Sequence, residues 1–156
     1  MVVGSGLLKL QYDIPANDLI CAGEASSNVK KLLVQLGINP VFIKKTAVSM
    51  YEAEINAVIH GGGGSAHVEI DHEKVLILIS DKGPGIPNLE LAMQEGYSTA
   101  SDEIREMGFG AGMGLPNIKR YADALDIQTE VGKGTTLTII VYFDRAEPIA
   151  EITESF

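Results

Sequence analysis

The sequence is short of several things, and each shortage removes a class of protein. Its 156 residues hold one cysteine, Cys21, so no intramolecular disulfide can form and a reducing, cytoplasmic compartment is the expectation. Basic residues are scarce, 12 Lys and Arg against 21 Asp and Glu. The resulting net charge of −9 argues against a nucleic-acid or membrane-surface binder, both of which need basic patches. A local basic site for a phosphorylated ligand stays open. No apolar run reaches membrane-spanning length, and the N-terminus lacks the basic-then-apolar pattern of a signal peptide. There is no internal repeat.

What is present is an ordinary globular balance, 46% hydrophobic and 21% charged, in a chain long enough for a real core. Residues 1–144 read as one domain and 145–156 as an acidic, flexible tail. The seventeen glycines are many for this length, and they are clustered.

Leu8–Ile14 alternates apolar and polar, so it reads as a half-buried strand ended by Pro15. Asn17 or Asp18 caps a helix running to about Leu36, with Gly37 as its stop. A second helix spans Pro40–His60, with Val41, Ile43, Ala47, Val48, Tyr51, Ile55, Val58 and Ile59 as its core face. Gly61–Gly64 ends it. Strands at Ala66–Ile70 and Val75–Ser80 form a hairpin across Asp71-His72-Glu73. A short helix, Asn88–Gln94, precedes a Gly-, Ser- and Thr-rich loop over Gly96–Gly114, and a loop that long is usually functional or disordered. A helix from Leu115 to about Leu125 follows. Strands Asp126–Val131 and Thr135–Phe143, joined by Gly132-Lys133-Gly134, close the chain. This order predicts an α/β fold, a two-layer sandwich with helices on one face of a mixed, mainly antiparallel sheet.

Four constellations carry chemistry. Glu52 and Asn56 stand one turn apart on one helix face, with His60 a further turn on. A neutral amide oxygen is a hard ligand for Mg²⁺, and a carboxylate beside it can act as a base; a polar stripe facing solvent is the plainer alternative. Glu54 lies on another side and reads as surface charge, and His60 as a helix C-terminal residue favoured by the dipole. Asp81-Lys82-Gly83-Pro84-Gly85 follows the most apolar run in the chain. It is either a simple turn or a carboxylate able to accept from the exocyclic amine of adenine, with glycine letting the ring lie against the backbone. Gly108-Phe109-Gly110-Ala111-Gly112-Met113-Gly114-Leu115 opens a helix, where free backbone N–H groups can meet an anion; taken alone it is also a flexible loop. It fails the dinucleotide fingerprint, and no Walker-type loop exists, since Lys133 is followed by Gly134. Gly132-Lys133-Gly134-Thr135-Thr136 is a hairpin turn in which Thr135 adds a hydroxyl.

Taken together and in this order, from about Leu8 to Phe143, these stretches resemble the GHKL (HATPase_c) ATPase superfamily of gyrase, heat-shock-90, histidine-kinase and mismatch-repair ATPases. The small size is similar to the anti-sigma-factor serine/threonine kinases. Glu95-Gly96-Tyr97-Ser98-Thr99 with Gly110-Ala111-Gly112-Met113-Gly114-Leu115-Pro116-Asn117-Ile118-Lys119-Arg120 resembles the stressosome-type switch kinase branch, apart from a longer lid over Ala100–Met107. The resemblance implies the Bergerat fold, ATP and Mg²⁺ as cofactors, and a STAS-domain antagonist as the phosphorylated partner, with a sigma factor or other regulator downstream and homodimerisation common in the family. It implies Asp81 on the adenine amine, Gly83 and Gly85 shaping the adenine pocket, and Thr135 near that end. It further implies Asn56 on Mg²⁺, Glu52 as general base, Gly110, Gly112 and Gly114 with Leu115 around the triphosphate, and a lid in the preceding loop.

The leading expectation is therefore a protein serine/threonine kinase. A non-catalytic, ATP-gated module that sequesters a sigma factor or another regulator is the alternative. The catalytic half of a split histidine kinase is weaker, because no dimerisation helix pair or suitably placed phosphoacceptor His is present.

Overall fold

The computed structural model describes residues 6–16, 18–96 and 114–143. Strand β1 (Leu8–Ile14) is followed by helices α1 (Glu24–Gln35) and α2 (Pro40–Ile59), then the hairpin β2 (Gly64–Ile70) and β3 (Lys74–Asp81). A single turn, α3 (Leu89–Ala92), precedes helix α4 (Gly114–Tyr121) and the hairpin β4 (Ala124–Glu130) and β5 (Gly134–Tyr142). The strands lie in the order β1-β2-β3-β5-β4, and every neighbouring pair is antiparallel. The expected two-layer α/β sandwich is what forms.

Alternation makes the sheet two-faced. Leu8 and Ile14 of β1, Ala66, Val68 and Ile70 of β2, Val75, Ile77 and Ile79 of β3, and Leu137, Ile139 and Val141 of β5 are all buried on one side. Val29 and Leu33 of α1, Met50, Ala53, Ala57 and Val58 of α2, and Leu115 and Ile118 of α4 complete that core. On the opposite side Lys9, Gln11 and Asp13 are exposed, and His67 bridges Gln11 (3.1 Å) and Glu69 (2.8 Å).

The helix ends obey local chemistry. Asn39 caps α2 by accepting from the Val41 N–H at 3.0 Å, with Pro40 as its first residue. At the end of α1, Gly37 N–H donates to Val34 O and Ile38 N–H to Leu33 O, so Gly37 is the expected stop.

Four expectations are corrected. Helix α1 starts at Glu24, because Asp18 caps a turn instead, its carboxylate accepting from Ile20 and Cys21 N–H (3.2 and 3.1 Å). Glu54 is 2% exposed, not a surface charge. Its oxygens accept from the backbone N–H groups of Gly23, Ala25 and Ser26 at 3.0, 3.2 and 3.0 Å, so α2 supplies the cap that α1 lacks locally. Helix α2 is buried on more than a stripe, since α1, α4 and the sheet all pack on it; Met50, Ala53 and Ala57 are core, whereas Tyr51 is 38% exposed. Helix α4 is also shorter than expected, ending at Tyr121, and β4 begins at Ala124. Asp123 turns the chain there, accepting from Lys45 Nζ (2.6 Å) and from the Tyr142 N–H (2.7 Å). Gly110 and Gly112, most of the expected lid and the tail from Arg145 lie outside the described residues.

Candidate active site

Helix α2 carries the site along its length. Glu52 and Asn56 are both half-buried and lie one turn apart, as their spacing requires. The start of α4 meets them. A Cβ placed on Gly114 would stand 3.0 Å from both Asn56 Nδ2 and Oδ1, so the absent side chain is what lets the first residue of α4 approach that amide. One turn further along α4, Asn117 Nδ2 reaches Glu52 Oε1 at 3.5 Å. Burial pushes the Glu52 carboxyl above the ordinary glutamate value of 4.5, and the Asn117 amide opposes that rise. Leu115 is a core residue at 8% exposure, so of this residue only the backbone is available at the site.

At the C-terminal end of α2 the chain runs into Asp81, the last residue of β3. His60 is the helix C-cap, its N–H donating to Asn56 O (2.9 Å); burial lowers its pKa, and the Asp81 charge works the other way. Gly61 then passes against the Asp81 carboxylate: a Cβ there would fall 2.5 Å from Asp81 Cγ. Gly83 stands over Gly61 in turn, with room for no Cβ either. Asp81 Oδ1 accepts from the backbone N–H groups of Gly83 (2.9 Å) and Thr135 (3.3 Å). Oδ2 receives no hydrogen bond from any described residue. Thr135 is buried, and its hydroxyl pairs with that of Thr129 at 2.9 Å. Gly85 (φ 78°) packs on Glu130 O, while Thr129 Oγ1 accepts from Ile86 N–H (2.8 Å) and Pro84 O from Gly132 N–H (2.9 Å). The segment 81–86 is thus pinned to the β4–β5 hairpin.

The fold therefore gathers Glu52, Asn56 and Gly114 at one point along α2, and Asp81, Gly83, Gly85 and Thr135 at its end. Between Glu52 and Ile59, the last residue of α2, the helix rises roughly 10 Å. One end offers an amide and backbone N–H groups at a helix start, suited to an anion. The other offers a carboxylate held by amides beside glycines, suited to a flat ring with an N–H donor. Sequence reasoning placed Gly61 only at a helix end and Asn117 only within the family motif, and gave Thr129 no role. The Asn117 signal was its place three residues after Gly114, on the same helix face.

Helix α2 thus lies over an antiparallel sheet with a helix start against one point of it and a carboxylate among glycines at its end. The chain belongs to the histidine kinase-, DNA gyrase B- and HSP90-like ATPase family, whose model matches residues 50–146. Within that family it is of the anti-sigma-factor kinase type. It is 30% identical over 127 residues to the serine/threonine-protein kinase RsbT of Bacillus subtilis, covering 79% of this chain and 87% of that one. It is 40% identical over 101 residues to the anti-sigma F factor of Clostridium beijerinckii, covering 61% of this chain and 66%, just under two thirds, of that one. Among solved structures, the RsbU and RsbW domains of Rv1364c from Mycobacterium tuberculosis share the fold at a TM-score of 0.60 and 16% identity, over 89% of this chain and 33% of that one. The SiaB-SiaC complex from Pseudomonas aeruginosa does so at 0.54 and 12%, over 88% of this chain and 90% of that one. No helix among the described residues is long and apolar enough to cross a membrane.

Proposed function

We propose that the chain binds ATP with Mg²⁺ along α2 and transfers the γ-phosphoryl group to a serine or threonine of a STAS-type antagonist protein, in a cytoplasmic bacterial partner-switching pathway. The observation that carries this reading is the half-buried Glu52 one turn from Asn56, with the start of α4 against both. The residues fit the ligand. Asp81 keeps Oδ2 free of described donors, as an acceptor for the adenine amine must, while Gly83 and Thr135 N–H hold the other oxygen. Gly83 and Gly85 let the segment beside Asp81 close on the Gly61 backbone and on the Glu130 carbonyl. Asn56 offers Mg²⁺ a neutral oxygen, and the α4 N-terminus offers the phosphates N–H groups. When bound, ATP supplies the phosphoryl group and Mg²⁺ offsets the charge on its oxygens. Gly110 and Gly112 join Gly114 around the triphosphate on the family resemblance.

Glu52 takes the proton from the acceptor hydroxyl as it attacks. Only the ionised carboxylate can do so, and burial raises its pKa against the weaker pull of Asn117. Transfer is therefore expected to rise with pH through a midpoint above 4.5, the ordinary glutamate value. An acid limb at or below that value in a pH–rate profile would contradict the assignment.

The direct test is incubation with labelled ATP and purified STAS proteins encoded in the same genome, followed by acid treatment. An acid-stable phosphate on serine or threonine is expected. No transfer to any of them, or an acid-labile phosphoramidate, would overturn the kinase reading. The ring end has its own test. Asp81→Asn keeps an oxygen for the two N–H groups but loses the charge, so ATP affinity is expected to fall about tenfold to a hundredfold with the circular dichroism spectrum unchanged. Unchanged affinity would return Asp81–Gly85 to a plain turn.

The likeness to an anti-sigma F factor favours a second reading, an ATP-gated module that sequesters a sigma factor or another regulator without catalysis. Pull-downs with and without ATP separate the two. Capture that survives Glu52→Gln, with no phosphate transferred by the native chain, supports the second.

A further inference from the structure

Helices α2 and α4 meet turn for turn: Gly114 lies on Asn56, and Asn117 on Glu52. Four residues on α2 and three on α4 rise roughly 6 Å and 4.5 Å, so the two contacts lie at matching heights on helices running in opposite directions. Asn117 is half-buried, and among the described residues its amide is the only group that donates to the Glu52 carboxylate. We propose that Asn117 is the positioning residue of Glu52, its amide holding Oε1 while Oε2 is left to take the proton of the acceptor hydroxyl. This rests on the reading of Glu52 as the base.

Three physical points support it. A donor to one oxygen of a half-buried carboxylate favours the staggered rotamer that makes the contact over the others. The donor sits on α4, whose first residue is also at the phosphate end, so base and phosphate seat are set by one rigid element. The 3.5 Å separation is long, as catalytic contacts commonly are before ligand draws them together. Among the described residues no other charge shifts Glu52. Glu54 uses both oxygens on α1 amides, and Arg120 of α4 pairs with Glu95 at 3.1 Å. Lys119 of α4 is exposed. Tyr51, the neighbouring titratable group, is pushed up by burial and then by Glu52 and Glu54, and stays a neutral phenol.

The test reads the carboxylate itself. Glutamates labelled with ¹³C at the side-chain carboxyl are titrated by NMR, Glu52 being identified by its absence in Glu52→Gln. Removing the donor in Asn117→Leu is expected to raise the Glu52 midpoint, since burial is then unopposed. Asn117→Asp is expected to raise it further by adding a like charge, and Asn117→Gln to return it towards the native value. Transfer near neutral pH is expected to fall about tenfold in Asn117→Leu, with ATP affinity unchanged and activity recovered in Asn117→Gln. A Glu52 midpoint that is the same in the native chain and in Asn117→Leu and Asn117→Asp overturns the proposal, even if transfer falls. Native-rate transfer by Glu52→Gln overturns the base reading and this role with it. An inactive Glu52→Gln with an unmoved midpoint removes the positioning role alone.

Discussion

A Glu52→Gln variant is expected to transfer phosphate about 10²–10⁴ times more slowly than the native chain while binding ATP as tightly. The substitution is nearly isosteric, so the packing around this half-buried side chain and the contact from Asn117 survive: a glutamine oxygen accepts from Asn117 Nδ2 as the carboxylate does. What it loses is the ability to take a proton. If the acceptor hydroxyl must shed its proton as it attacks, that loss falls on the chemical step and leaves the proposed nucleotide seat at Asp81 untouched. Glu52→Asp sharpens the comparison. It keeps the base but draws it back along the side chain by about 1.5 Å, a misplacement that costs on the order of 10²-fold when geometry carries catalysis. Single-turnover transfer with nucleotide binding measured separately distinguishes these cases. A Glu52→Gln variant that transfers at the native rate would leave Asn56, the α4 N-terminus and the bound cation as the whole of the chemistry.

Much of this was legible in the sequence because the relevant signals are local. Alternation marks β1, a continuous apolar run marks β3, and Asn39-Pro40 and Gly37 mark helix ends by capping chemistry that needs no tertiary partner. The pair Glu52 and Asn56 was legible for the same reason, since four residues on a helix always share a face. What stayed hidden involves two distant segments at once. Tyr51 fits the apolar face of α2, yet it borders the turn before α1, where Gly23 has no Cβ to meet its ring. Asn117 looks like any polar residue of a first turn until α2 is laid beside it. The start of α1 was misplaced because Asp18 carries a good capping side chain and uses it on a tight turn, while the real cap arrives from α2.

That distant cap carries the largest stability effect expected in the chain. Glu54 is 2% exposed and has no cationic partner among the described residues; backbone N–H groups of Gly23, Ala25 and Ser26 satisfy it, with Gly23 in a left-handed conformation (φ 96°) just before α1. These are charge-assisted bonds at a helix N-terminus, where the dipole adds to each of them. Glu54→Ala removes the anion and leaves the buried donors unpaired at the point where α1 packs on α2, so a loss of about 3–5 kcal/mol is expected. Glu54→Gln keeps one acceptor but turns an NH₂ towards N–H groups, and about 1–3 kcal/mol is expected from it. Urea unfolding followed by circular dichroism measures both, the midpoint shifting with a nearly constant slope. Because α1 contributes Ala25, Val29 and Leu33 to the same core that carries Glu52 and Asn56 on α2, loosening it is also expected to weaken nucleotide binding in Glu54→Ala near its unfolding midpoint, and not well below it. A Glu54→Ala variant within 0.5 kcal/mol of the native chain would mean that α1 is held by its apolar face alone, and that the buried carboxylate contributes nothing to docking it.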